Sequence, residues 1–215
     1  MKSILVIGLG RFGYHLALKF SQLGNDVLVA DIDEELVERY ANEFEDSRIC
    51  DCSDENVISS LGVSNFDYCI VAVGTNFQSA MEITALLKEF GAKCVISKAG
   101  SARHANLLKK IGADQVIYPE RDVAEKTAIR LNVKNIFDYI ELTEDYAVYE
   151  IPVPHDWVGK TVGEVDVRRK YSVNSIAVNR DGKLDTELTA DYAFISGEHL
   201  VVIGRADRVY KLASK

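Results

Sequence analysis

The sequence predicts an α/β protein, a Rossmann-like doubly wound parallel sheet followed by a small α+β domain. Three observations carry that reading. Short aliphatic runs alternate with helical patterns from the start of the chain to about residue 132. The first run breaks into Gly8, Gly10 and Gly13, spaced G-x-G-x-x-G. Beyond about residue 133 the rhythm changes to strand and turn signals with little helix.

The strand candidates of the first part are "SILVIG", "DVLVAD", "SRICD", "YCIVAVG", "KCVISKA" and "QVIYPE". Their near-continuous Val, Ile and Ala suit strands buried on both faces of a parallel sheet. Between them, "RFGYHLALKFSQLG", "DEELVERYANEF", "DENVISSLG", "FQSAMEITALLKEFG" and "SARHANLLKKIG" read as helices, and "RDVAEKTAIRL" follows the last strand. Four of these helices close on Gly24, Gly62, Gly91 and Gly112, a common helix-ending signal. In the second part "YAVYEIPVP" is a strand ended by prolines, "TVGEVDVRRKY" a short helix, and "NSIAVNRDGKLDTEL" a hairpin about Asp181-Gly182. "HLVVIG" is a further strand and "RADRVYKLASK" a terminal helix. The expected organisation is a nucleotide-binding domain at 1–132, a linker at 133–145 and a second domain at 146–215.

Composition narrows the function. The 215 residues are 47% hydrophobic and 27% charged, with a net charge of -8. That acidic balance speaks against a nucleic-acid partner. No apolar run approaches the roughly 20 residues that span a bilayer, and "MKSILVIG" lacks the pattern of a signal peptide. A cytoplasmic location is expected. Cys50, Cys52, Cys69 and Cys94 form no C-x-x-C pair and read as reduced thiols. His15, His104, His155 and His199 are too scattered for a zinc-type cluster.

The glycine motif stands directly after a strand and opens a helix, the context that dinucleotide and nucleotide sites need. Gly8 would permit the tight turn, Gly10 the close approach of a phosphate, and Gly13 the packing of helix on strand. The helix N-terminus supplies free N–H groups and partial positive charge. Asp31, eighteen residues after Gly13, is placed to bond ribose hydroxyls and to repel a 2′-phosphate. Arg11 and Phe12 within the motif, and Ile32 beside Asp31, join the candidate lining. So do Asp51 and Cys52 after the third strand, Val73, Gly74, Thr75 and Asn76 after the fourth, and Lys98 after the fifth. Catalysis is not expected. A dehydrogenase needs an acid or base near its nicotinamide, and His155 and His199 both read as structural or exposed. Two alternatives stay open: a small NAD-dependent oxidoreductase, and a Rossmann redox sensor.

With "VIGLGRFG", "VADID", "CDCSDE", "VAVGTN", "SKA", "KKIGADQVIYPERD" and the appended module taken together, the whole chain resembles the cytosolic regulatory subunits of Trk/Ktr-type bacterial potassium uptake systems. Those pair an RCK N-domain with an RCK C-domain, also called TrkA-N and TrkA-C. The resemblance implies a homo-oligomer, dimers assembling into an octameric ring beneath a membrane-embedded potassium-translocating subunit. It implies ATP, ADP or NAD(H) as the ligand that changes ring shape. It further implies that Arg11 meets ligand phosphate, and that Glu120 of "YPERD" serves a divalent cation. Asp166, Arg168 and Asn174 match a second site that holds cyclic di-AMP in some members; a proline usual there is absent from "DTELTADYAF". Arg168, Arg169 and Lys170 equally suit a solvated helix face.

Overall fold

The aliphatic runs of the first part form the six parallel strands they predict: β1 (Ser3–Ile7), β2 (Asp26–Asp31), β3 (Asp46–Ile49), β4 (Tyr68–Val71), β5 (Val95–Lys98) and β6 (Gln115–Ile117). Helices α1 (Arg11–Gln22), α2 (Glu34–Tyr40), α3 (Glu55–Leu61), α4 (Phe77–Glu89) and α5 (Ala102–Ile111) connect them, and α6 (Pro119–Asn132) follows the last. The computed structural model describes residues 1–74, 76–132, 136–143 and 145–214, without the side chains of residues 130 and 132. Two units emerge, Met1–Arg121 and Asp122–Lys215.

In the first unit the strand order is β3-β2-β1-β4-β5-β6. The chain runs outward from β1 to β3, then crosses back to β4 beside β1. Right-handed crossovers therefore place helices on both faces and open a crevice where the connections leaving the paired strands β1 and β4 part to opposite sides of the sheet. Double-sided burial shows in β1 itself. Ile4 and Val6 pack with Ala17, Val29 and Phe44 on one face, while Leu5 and Ile7 pack with Ile58, Val71 and Leu87 on the other. These four of the five β1 side chains are at most 2% exposed; each such burial stabilises the fold by about 1.5–3 kcal/mol.

Capping sets the helix limits. Asp33, Asp54, Asn76 and Ser101 each accept a backbone N–H of the turn they start. Gly112 closes α5 at φ 119°, a conformation that side chains resist. One expectation is corrected here. "QVIYPE" is not strand to its end, because β6 stops at Ile117 and Pro119 begins α6. Proline lacks the amide a ladder needs and suits a first helical position.

The second unit holds β7 (Asp138–Glu141), β8 (Tyr146–Pro152), β9 (Asn174–Arg180), β10 (Lys183–Asp185) and β11 (His199–Arg205), with helices α7 (Val162–Val165), α8 (Val167–Tyr171) and α9 (Ala206–Ala213). Its antiparallel sheet has the order β10-β9-β11-β8-β7. Alternate residues Ala147, Tyr149 and Ile151 of β8 and Leu200 and Val202 of β11 enter one core with Trp157, Phe194, Val209 and Leu212. The hairpin turns through Asp181 (φ 50°) and Gly182 (φ 80°), as two left-handed turn residues require. "TVGEVDVRRKY" is two short helices rather than one, broken at Asp166, which adopts φ 49°.

Candidate functional site

The site grows from the C-terminal ends of β1, β2, β4 and β5. After β1 the chain turns at Gly8 (φ 100°), whose N–H donates to Ala30 O at 2.8 Å. A Cβ there would stand 3.0 Å from the backbone of Ala72 and Val73 at the end of β4. Gly13 is tighter still, since its Cβ would lie 1.9 Å from Gly8 O. Gly8 and Gly13 are thus demanded by the fold itself. Gly10 is different: it is exposed and a Cβ on it would meet nothing within 4 Å. As the N-cap of α1 it carries no capping side chain, and the first turn of α1 holds no acidic residue. The helix start therefore offers its amides and partial positive charge to an anion.

Asp31 ends β2 and is already bonded to the glycine loop. Its Oδ2 accepts the Leu9 N–H at 2.6 Å and its Oδ1 the Asp33 N–H at 3.0 Å. The neighbouring Ile32 is 67% exposed, an apolar surface fit for a flat base. Phe12 is half-buried on α1, and Arg11 is exposed at its start.

On the opposite side of the crevice, Lys98 at the end of β5 reaches across to α6. Its Nζ lies 3.0 Å from Glu120 Oε1 and 5.9 Å from the centre of the Phe12 ring. A Cβ at Gly74 would stand 3.3 Å from the same ammonium. The hydrogen bond from Lys98 holds the Glu120 carboxyl below its ordinary range, helped by the amide at the start of α6 and by the charge of Arg11. Arg11, Phe12, Gly74, Lys98 and Glu120 thus share one electrostatic neighbourhood.

Other expected residues fall less directly. Asp51 accepts the Ser53 N–H at 2.9 Å and shapes the turn after β3. The Cys52 thiol packs into the core at 3% exposure, where burial pushes its pKa up. Val73 is half-buried in the same core. Asn76 spends its side chain on the Ser79 N–H at 3.3 Å as the cap of α4. Thr75 lies outside the described residues. In the second unit, Asp166 sits in the break between α7 and α8, with Arg168 and Asn174 exposed nearby in sequence.

One contact at this edge escaped sequence reasoning. Phe77, in the first turn of α4, stacks on His104, in the first turn of α5, with centroids 3.6 Å apart and planes at 10°. His199 also has partners in the second unit: it bonds Glu150 Oε1 at 2.8 Å and stacks on Phe137. His155 is exposed in a short turn after Pro154. Among the described residues no group of three or more His, Cys, Asp or Glu side chains could hold a metal ion. None of the helices of these residues is long and apolar enough to cross a membrane.

Comparison with known proteins gives a consistent result. The TrkA-N domain model matches residues 4–119 and the TrkA-C domain model residues 147–215. Ktr system potassium uptake protein C of Bacillus subtilis (strain 168) is 38% identical over 203 residues, 94% of this chain and 92% of that protein. Ktr system potassium uptake protein A of the same organism is 35% identical over 94% of this chain and 91% of its own length. Among solved structures, the GsuK channel shares the fold at a TM-score of 0.72 and 19% identity, covering 98% of this chain. The chain spans 38% of that channel's length. A structure of the GsuK channel bound to NAD gives a TM-score of 0.67 over 96% of this chain and 38% of that one, at 18% identity.

Proposed function

This chain belongs to the TrkA-N/TrkA-C family, and from that premise we propose that it is a nucleotide-sensing regulatory subunit of potassium uptake. The observation that carries the reading is the start of α1: an uncapped helix N-terminus at an open Gly10, flanked by Arg11 and, across the crevice, by Lys98. Relatives named as Ktr potassium uptake proteins supply the physiological setting. The ligand is ATP or ADP, with NAD(H) the other candidate that an NAD-bound structural neighbour supports. Phosphates lie on the α1 amides, ribose on Asp31 and the base against Ile32.

The subunit acts without catalysis, on the cytoplasmic face of a membrane-embedded potassium-translocating partner, as dimers assembled into an octameric ring. Nucleotide can shift such a ring only by its difference in affinity for two ring shapes. A terminal phosphate at Arg11 would make ATP and ADP distinct signals. A divalent cation fits only as a phosphate-bound ion, because Glu120 is a single carboxylate and phosphate oxygens would have to complete its shell. Cyclic di-AMP at Asp166, Arg168 and Asn174 is the corresponding proposal for the second unit. The domain limits proposed are 1–132 and 146–215, joined by 133–145, although Asp138–Glu141 of that joining segment pairs as β7 with the sheet of the second unit.

Calorimetric titration with ATP, ADP, NAD and NADH, with the assembly mass recorded in each state, tests the reading. Tight ATP and ADP binding to a ring-sized assembly is expected, and Arg11→Ala narrows the difference between them. Exclusive NAD(H) binding to a dimer, or turnover of a hydroxy or keto substrate, would overturn it.

A further inference from the structure

Lys98 and Glu120 are brought together only by the fold, one at the end of β5 and the other in the first turn of α6. They are unequal partners. The Lys98 side chain is 16% exposed, hemmed by Phe12 and Gly74, whereas that of Glu120 is 62% exposed. The ammonium is the fixed member and the carboxylate the one free to swing into solvent. Lys98 lies beside the Phe12 ring of the glycine motif, and the charge of Arg11 in the same motif acts on Glu120.

We propose that Glu120 is a built-in competitor of the nucleotide phosphate, holding Lys98 until a more highly charged anion takes it over. The inference rests on the nucleotide reading above and concerns the regulation of that same site. Its physical basis is simple. A carboxylate 3.0 Å from the ammonium cancels most of the attraction Lys98 exerts on a second anion. A phosphate that engages Lys98 must therefore displace Glu120 or share the ammonium with it. Glu120 can leave at small cost, because an ion pair with one exposed partner contributes little. The pair thus acts as a threshold: weakly charged anions do not open it, and polyphosphates do.

The test is ATP titration of the full chain in chelator, so that Glu120 has no cation to hold. Wild type, Glu120→Gln, Lys98→Gln and the double variant are compared, with melting curves establishing that each is folded. Glu120→Gln is expected to bind ATP about fivefold more tightly, and Lys98→Gln more weakly. In the Lys98→Gln background the gain from Glu120→Gln should shrink, since the competition runs through the ammonium. ATP binding by wild type with unchanged or weaker binding by Glu120→Gln overturns this proposal alone. So does a gain of the same size in both backgrounds. No ATP binding by any of the four proteins overturns the nucleotide reading and this proposal with it.

Discussion

Replacing Gly13 with alanine separates what the glycine motif does for the fold from what it does for a ligand. The new Cβ would lie 1.9 Å from Gly8 O and 3.0 Å from both Gly8 C and Ala72 Cβ. Cβ contacts essentially do not occur under 3.0 Å, so the helix start and the loop must part by about 1 Å. Overpacking of this kind costs about 1–3 kcal/mol, and a clash with backbone belongs at the upper end. Alanine's better helix propensity returns about 1 kcal/mol. The expected net loss is about 2 kcal/mol. Gly10→Ala is the matched control: at φ -60° with nothing within 4 Å, it should leave stability within about 0.5 kcal/mol while weakening nucleotide binding. The assay is urea unfolding followed by far-ultraviolet circular dichroism, since the single tryptophan, Trp157, reports on the second unit. A lower midpoint at unchanged slope is expected for Gly13→Ala. If Gly13→Ala proves as stable as Gly10→Ala, the close-packing argument is wrong.

Two further predictions concern buried polar groups. Glu198 is 1% exposed and accepts from Arg180, the Tyr192 hydroxyl and the Ile195 N–H; Glu198→Gln should cost about 3 kcal/mol, read by Trp157 fluorescence during unfolding. Burial alone would raise the Glu198 pKa, but those hydrogen bonds outweigh it and lower it from 4.5. The stabilisation is therefore present above the ordinary glutamate range and lost as pH falls through the lowered pKa, and Glu198→Gln should flatten that acid limb. In the first unit, the buried Thr84 and Ser97 hydroxyls meet at 2.8 Å. Thr84→Val should cost about 1–3 kcal/mol by stranding Ser97, and Thr84→Val/Ser97→Ala should cost less than the two single changes summed.

The Rossmann half was legible because its strands are buried on both faces and its helices carry caps and closing glycines. The second half was less so. "DYIE" forms β7 although three of its four residues are exposed, and no alternation in the sequence marks an edge strand held mainly by pairing with β8. The break at Asp166 has no glycine or proline to announce it; aspartate is one of the few residues that tolerates the left-handed region. Within the candidate site, glycine spacing and Asp31 could be read from local order alone. The Lys98–Glu120 pair and the Phe77–His104 stack could not, because each joins the first turn of one helix to a residue far along the chain. Cys52 illustrates the converse: its position in the chain suggested a pocket wall, and its side chain turned to the core.

The bonds that tie Asp31 to Leu9 and Asp33 have an entropic consequence. A free aspartate must give up its rotamers when it grips a ligand, and that ordering weakens the complex. Here the carboxylate is oriented by the chain's own amides as the protein folds. Two of its roughly four acceptor positions remain for incoming hydroxyls. If Asp31 holds a sugar as proposed, that sugar would meet a rigid template, and its affinity would reflect the match of hydroxyl geometry rather than the cost of arranging the receptor.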